Sequence, residues 1–132
     1  MKITADTNVL VRAIVGDHPQ QSKIAQSMLA KADLIAVTIP TFCEVVWVLS
    51  QGYKFPALEI AEAIHRLMRS ANVVVNRTSV EAGLAILEAG GDFADGAIAH
   101  EGKWLGAETF VSFDKRAVRL LEANGASAVL LS

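Results

Sequence analysis

The chain has 132 residues, enough for one domain with a real core and no need of disulfide staples. Hydrophobic residues make up 52% of it, which is rich for a soluble domain, so either the core is large or a partner covers part of the surface. The net charge of -2 excludes a generally basic platform for nucleic acid, and the single cysteine, Cys43, excludes an intrachain disulfide and a thiolate zinc cluster.

Residues 2–5 read as a short strand that delivers Asp6. From 7 to 15 the apolar residues Val9, Leu10, Ala13 and Ile14 recur at helical spacing. Gly16-Asp17-His18-Pro19 is a turn, with Pro19 suited to the first turn of a helix over 20–31. A second strand, 34–37, is apolar throughout, as a buried parallel strand should be. Pro40 opens a helix expected to run to about residue 51 and to end at Gly52. Further helices are expected over 56–70, 79–89 and about 92–102, with a strand at 73–75. A fourth strand, 109–112, hands over to a helix at Asp114, which Gly125 stops, and residues 128–131 make a short last strand.

No secretory signal is read at the N-terminus. The longest apolar run, 34–49, is too short to span a membrane and carries Pro40 and Glu44. The expectation is a soluble cytoplasmic protein with no membrane partner, folded as a single domain over 1–132. Strands alternating with helices predict an α/β fold, with a mainly parallel sheet of four to five strands covered on both faces.

Open parallel sheets carry their functional groups at the carboxyl ends of the strands. Asp6 follows the first strand and Asp114 the fourth. Each also reads as a helix N-cap, a common use of aspartate. Glu44 is the only charged residue between Leu34 and Tyr53, and its neighbours are Phe42, Cys43, Val45, Val46 and Trp47. An ionised carboxylate buried in such a helix is costly without a cation or several donors, although an exposed stripe would also accommodate it. Asp92 and Asp95 stand at i, i+3 on one helix face, where Asp92 suits a cap or a supporting role and Asp95 a ligand. Two carboxylates about 4 Å apart repel by about 4 kcal/mol at an effective dielectric near 20, so a cluster of them calls for a cation. Oxygen-only ligands select Mg²⁺ or Mn²⁺, and such an ion suits hydrolytic phosphoryl transfer.

The set Asp6-Thr7-Asn8, Glu44 in an apolar helix, Asp92-Phe93-Ala94-Asp95 followed by Ile98-Ala99, and Ser112-Phe113-Asp114 resembles the PIN domain. In size and layout the chain is most similar to the VapC-type toxins of toxin–antitoxin pairs, and the resemblance covers nearly its whole length. It implies a three-layer α/β/α sandwich, a metal-dependent ribonuclease acting on an RNA substrate, a homodimer and a cognate antitoxin. By position, Asp6, Glu44, Asp95 and Asp114 match the family's acidic quartet, the expected catalytic and metal-binding residues. Asn8 and Ser112 match polar neighbours that orient carboxylates or water. Gly96 stands where alanine is frequent, which predicts a locally looser helix, since glycine costs about 1 kcal/mol relative to alanine.

Lys115, Arg116 and Arg119 follow Asp114 and are the expected RNA contacts, whereas His65, Arg66 and Arg69 read as a solvated helix face. His18, His65 and His100 read as ordinary rather than catalytic histidines. Trp47 and Trp104 read as core or interface rather than as stacking platforms. The competing function is a non-catalytic metal- or partner-binding module. An Asp-dependent phosphatase is disfavoured because Asn8 stands where that chemistry wants a second aspartate.

Overall fold

Every strand of the computed structural model, which describes residues 1–132, runs parallel to its hydrogen-bonded neighbour. Strands alternate with helices as the α/β reading requires. The chain forms two compact units, Met1–Asn76 and Arg77–Ser132. No helix is long and apolar enough to cross a membrane.

The first unit comprises β1 (Lys2–Thr4), α1 (Thr7–Val15), α2 (Pro19–Lys31), β2 (Leu34–Ala36), α3 (Ile39–Trp47), α4 (Ala57–Arg69) and β3 (Val73–Val74). Its strands lie in the order β1-β2-β3, with Ile35 opposite both Ile3 and Val73. Leu10, Ile35, Phe42, Leu49, Ile60 and Ile64 are almost fully buried and form its core. Each contributes roughly 1.5–3 kcal/mol through burial. Gly16 ends α1 in the left-handed region (φ 73°), and Pro19 occupies the first turn of α2, where its missing N–H costs nothing. The His18 ring caps α2 by accepting from the Gln21 N–H at 3.2 Å. Tyr53 ties the α1–α2 turn to the segment after α3, donating to Asp17 at 3.0 Å and accepting from Arg12 at 3.4 Å.

The helix expected to run unbroken to residue 51 changes character midway. α3 stops at Trp47 and the chain continues as a π-helical turn over Val48–Gly52, closed by the Tyr53 N–H bonding the Val48 carbonyl at 3.2 Å. Gly52 lies inside that turn and is not among the positive-φ residues, so it does not act as the expected left-handed stop.

The second unit comprises α5 (Arg77–Glu88), α6 (Phe93–Trp104), β4 (Phe110–Ser112), α7 (Lys115–Ala123) and β5 (Ala128–Leu130). β4 and β5 pair in parallel, Val111 opposite Val129. α5 and α6 pack against each other across two glycines. A Cβ at Gly83 would lie 2.6 Å from the Phe93 ring, and one at Gly96 would collide with the Ala82 carbonyl oxygen. Gly96 therefore does not loosen α6 as its helix propensity predicts. It is buried, and its missing side chain is what lets α6 lie against the α5 backbone.

Candidate functional site

Asp6 leaves β1 in extended conformation (φ −81°, ψ 161°) and is the N-cap of α1. The cap is a thin one. Oδ1 accepts only from the adjacent Thr7 N–H, at 2.8 Å, instead of from the donors two or three residues on. The side chain is exposed, and Oδ2 takes no part in the cap. Beside it the Thr7 hydroxyl is buried without a hydrogen-bond partner. A buried hydroxyl left unpaired costs on the order of 1–3 kcal/mol, so it calls for an occupant such as water or an ion. Thr7 was not among the expected site residues. Its position between two polar residues at a strand exit was the available signal.

Glu44 corrects one strand of the sequence argument. It is exposed. α3 buries Phe42, Val45 and Val46 and turns Pro40, Glu44 and Trp47 to solvent. No desolvation cost demands a cation at Glu44, so its candidacy rests on its position in the acidic pattern and on its availability.

In the second unit the charges of two carboxylates, Asp92 and Asp114, bear on a third, Asp95. Asp92 caps α6, accepting from the Ala94 N–H at 3.1 Å, the cap use that the sequence allowed for it. Asp95 sits one turn into α6, half-buried. Burial, and then the negative charges of Asp92 and Asp114, hold its carboxyl above the usual carboxylate range. Asp114 caps α7 with Oδ1 accepting from Arg116 N–H at 3.0 Å and Ala117 N–H at 3.1 Å. Ser112 braces this turn, its hydroxyl accepting from the Asp114 N–H at 2.9 Å. Ser112 thus orients the backbone that carries the acid rather than the carboxylate itself.

The basic residues divide. Arg116 donates to the Gly90 carbonyl, fastening the start of α7 to the turn between α5 and α6, so the guanidinium is partly engaged in structure. Lys115 and Arg119 are exposed. Arg66 and Arg69 both pair with Glu62, at 3.4 Å and 3.3 Å, as expected of a solvated helix face. Trp47 and Trp104 are 67% and 71% exposed, so of the two expected roles, core or interface, the core is excluded. A cavity of about 450 Å³ lined by Leu29, Leu67, Asn72 and Val73, among others, contains no titratable side chain and none of the candidate residues.

No group of three or more His, Cys, Asp or Glu side chains stands ready-made as a metal cage. The donor chemistry nevertheless suits a hard cation. The candidates are carboxylates and a hydroxyl, the Thr7 oxygen is orphaned, and Asp95 lies among negative charges that raise its proton affinity.

No curated protein matches the chain. The family description "PIN domain" matches residues 3–122, a span that takes in every candidate acid from Asp6 to Asp114. With that match running through both units, the chain belongs to the PIN domain family, whose fold is of the nuclease type and whose members typically use divalent metal ions.

Proposed function

We propose that the chain is a metal-dependent endoribonuclease, the toxin of a type II toxin–antitoxin pair, with Asp6, Glu44, Asp95 and Asp114 as its metal-binding carboxylates. The observation that carries this reading is Asp95. Folding holds a half-buried acid against two other carboxylates, at a position the PIN match includes. The toxin assignment, the cytoplasmic setting, the homodimer and the cognate antitoxin rest on the likeness in size and layout to VapC-type chains, and residues 1–132 are taken as one nuclease domain.

When bound, Mg²⁺ or Mn²⁺ supplies activation of water and neutralisation of charge at the phosphodiester. The chain's own residues do the rest. Asp95 and Asp114 present carboxylates from the first turn of one helix and the cap of another, and Asp92 and Ser112 fix the backbone beneath them. Asp6, Thr7 and Asn8 offer oxygens at the exit of β1. Lys115 and Arg119 contribute positive charge for the RNA backbone.

The second reading is a non-catalytic binding module. It is favoured by the cap geometry, since Asp6, Asp92 and Asp114 each have a structural use that explains them without a metal.

The test is cleavage of structured RNA by the purified full-length protein, freed of any antitoxin, with Mg²⁺, Mn²⁺ or EDTA. Cleavage should require the metal and fall at least about 100-fold in Asp95→Asn, with the fold intact by circular dichroism. Cleavage that persists in EDTA removes the metal from the reaction. An inert protein that is harmless on expression supports the binding module.

A further inference from the structure

We propose that Arg116 is a positioning residue, holding the start of α7 against the turn before α6 so that Asp114 and Asp95 share one divalent cation. This rests on the nuclease reading, and it moves Arg116 from the expected RNA contacts to the support of the metal-binding acids.

Arg116 is bonded in two directions. Its backbone N–H donates to Asp114 Oδ1 at 3.0 Å, and its side chain donates to the Gly90 carbonyl. Gly90 lies two residues before Asp92, the cap of α6. One residue therefore joins the carboxylate that caps α7 to the turn that leads into α6, where Asp92 and Asp95 stand. The turn is shaped to receive it. Gly90 is in the left-handed region (φ 95°), and a Cβ there would lie 3.2 Å from the guanidinium. A Cβ at Gly91 would lie 2.5 Å from Leu120, which is one turn beyond Arg116 on α7. A polar and an apolar attachment thus fasten α7 to the same pair of glycines.

The acids supply the reason for a fastening. The charges of Asp92 and Asp114 both bear on Asp95, and like charges push apart. The caps do not oppose that separation, because Asp92 and Asp114 each bond backbone of their own helix. The Arg116–Gly90 bond does, since it crosses from one helix to the approach of the other. It does so without taking up a carboxylate. A guanidinium on Asp95 or Asp114 would occupy oxygens that a cation needs, whereas here it is given to a backbone carbonyl.

The experiment titrates Mn²⁺ into metal-free full-length protein by calorimetry and measures cleavage of single-stranded RNA at saturating Mn²⁺. In Arg116→Met, Mn²⁺ affinity should fall about 10- to 100-fold, the loss typical of a residue that orients metal-binding groups. The direction is informative. Removing a positive charge near the site would by itself strengthen the binding of a cation, so only lost positioning weakens it. In the same variant kcat should fall while KM for RNA stays native. Arg119→Met, on the same helix and exposed, should show the opposite pattern: a higher KM and a salt slope of RNA binding reduced by about 1, with no fall in Mn²⁺ affinity. Gly90→Ala disturbs the other end of the Arg116 bond and alters no charge. It should weaken Mn²⁺ binding too, and Arg116→Met should then cost less on that background than on the native one.

Native or tighter Mn²⁺ binding in Arg116→Met overturns the proposal. So does a raised KM with unchanged kcat, which returns Arg116 to the RNA contacts. Full additivity with Gly90→Ala overturns the route through the turn. The two readings fail separately. A native chain that binds Mn²⁺ but cleaves no RNA, with binding weakened in Arg116→Met, defeats the nuclease and leaves the positioning role standing. Normal cleavage and native Mn²⁺ affinity in Arg116→Met defeat the positioning role alone. A native chain that binds no Mn²⁺ defeats both.

Discussion

Asp6 and Asp114 stand at equivalent points of the two units, each leaving a strand and capping the next helix, yet they are held very differently. Asp114 gives one oxygen to two backbone N–H groups, and Ser112 braces its turn from behind. Asp6 makes one bond to the very next residue, beside a hydroxyl with no partner at all. Burial, and then the charges of Asp92 and Asp114, raise the proton affinity of Asp95 in the second unit, whereas Glu44 in the first unit is exposed. The contrast separates two ways of presenting a carboxylate. One fixes it in a tight, electrostatically loaded frame, and the other leaves it accessible and lightly restrained.

The strongest blow to the tight frame is Gly96→Ala. Alanine is the better helix former, but its methyl would meet the Ala82 carbonyl. Overpacking of this kind should lower stability by about 1–3 kcal/mol, and thermal unfolding should fall by several degrees. An unchanged or higher melting temperature would mean that α5 and α6 separate freely and that the second unit is not rigid.

A smaller effect, of opposite sign, is expected at Asp95. Its carboxyl titrates above the unfolded value, so in metal-free protein its ionised form opposes folding. That penalty is fully present above the folded pKa and fades as pH falls through it toward the unfolded value. Asp95→Asn should therefore raise the melting temperature in EDTA at neutral pH by about 2 °C, allowing for solvent screening of a half-exposed group. The gain should vanish in acid. A gain that persists at low pH would trace to packing rather than to charge.

The smallest change in stability is expected at Glu44. Glu44→Gln on an exposed stripe should move the unfolding free energy by less than about 0.5 kcal/mol while removing RNA cleavage. Denaturant titration checks the first half and the nuclease assay the second. Marked destabilisation would show that Glu44 has a structural partner, and full cleavage would remove it from the metal-binding set.

Much of this was legible in the sequence, and the exceptions have identifiable causes. Helical periodicity located α1, α4 and α7, because each carries a clear apolar stripe, and the turn glycines at 16 and 125 do lie in the left-handed region. The acids at strand exits were found because caps and ligands share the same positions. Glu44 stayed open between burial and an exposed stripe because apolar neighbours along the chain are not neighbours in space. The wheel formed by Phe42, Val45, Val46 and Leu49 already left residues 40, 44 and 47 facing outward. Gly96 was illegible for a different reason, since what it touches is the backbone of another helix, at Ala82, a contact that the spacing of residues along the chain does not reveal. The π-helical turn likewise depends on how the chain must arrive at Tyr53, which bonds across to Asp17.

The bare contact between α5 and α6 has a consequence for ligand arrival. With no side chain at residues 83 or 96, the two helices approach closely, and the Phe93 ring, fully buried, and the Ile86 side chain fill the space beside the two glycines. Asp95 rides on that seam one turn from Asp92. The conformational freedom of its backbone is surrendered when the chain folds, not when a cation or a phosphate arrives. Whatever binds there meets a carboxylate already in place and loses little entropy in ordering it.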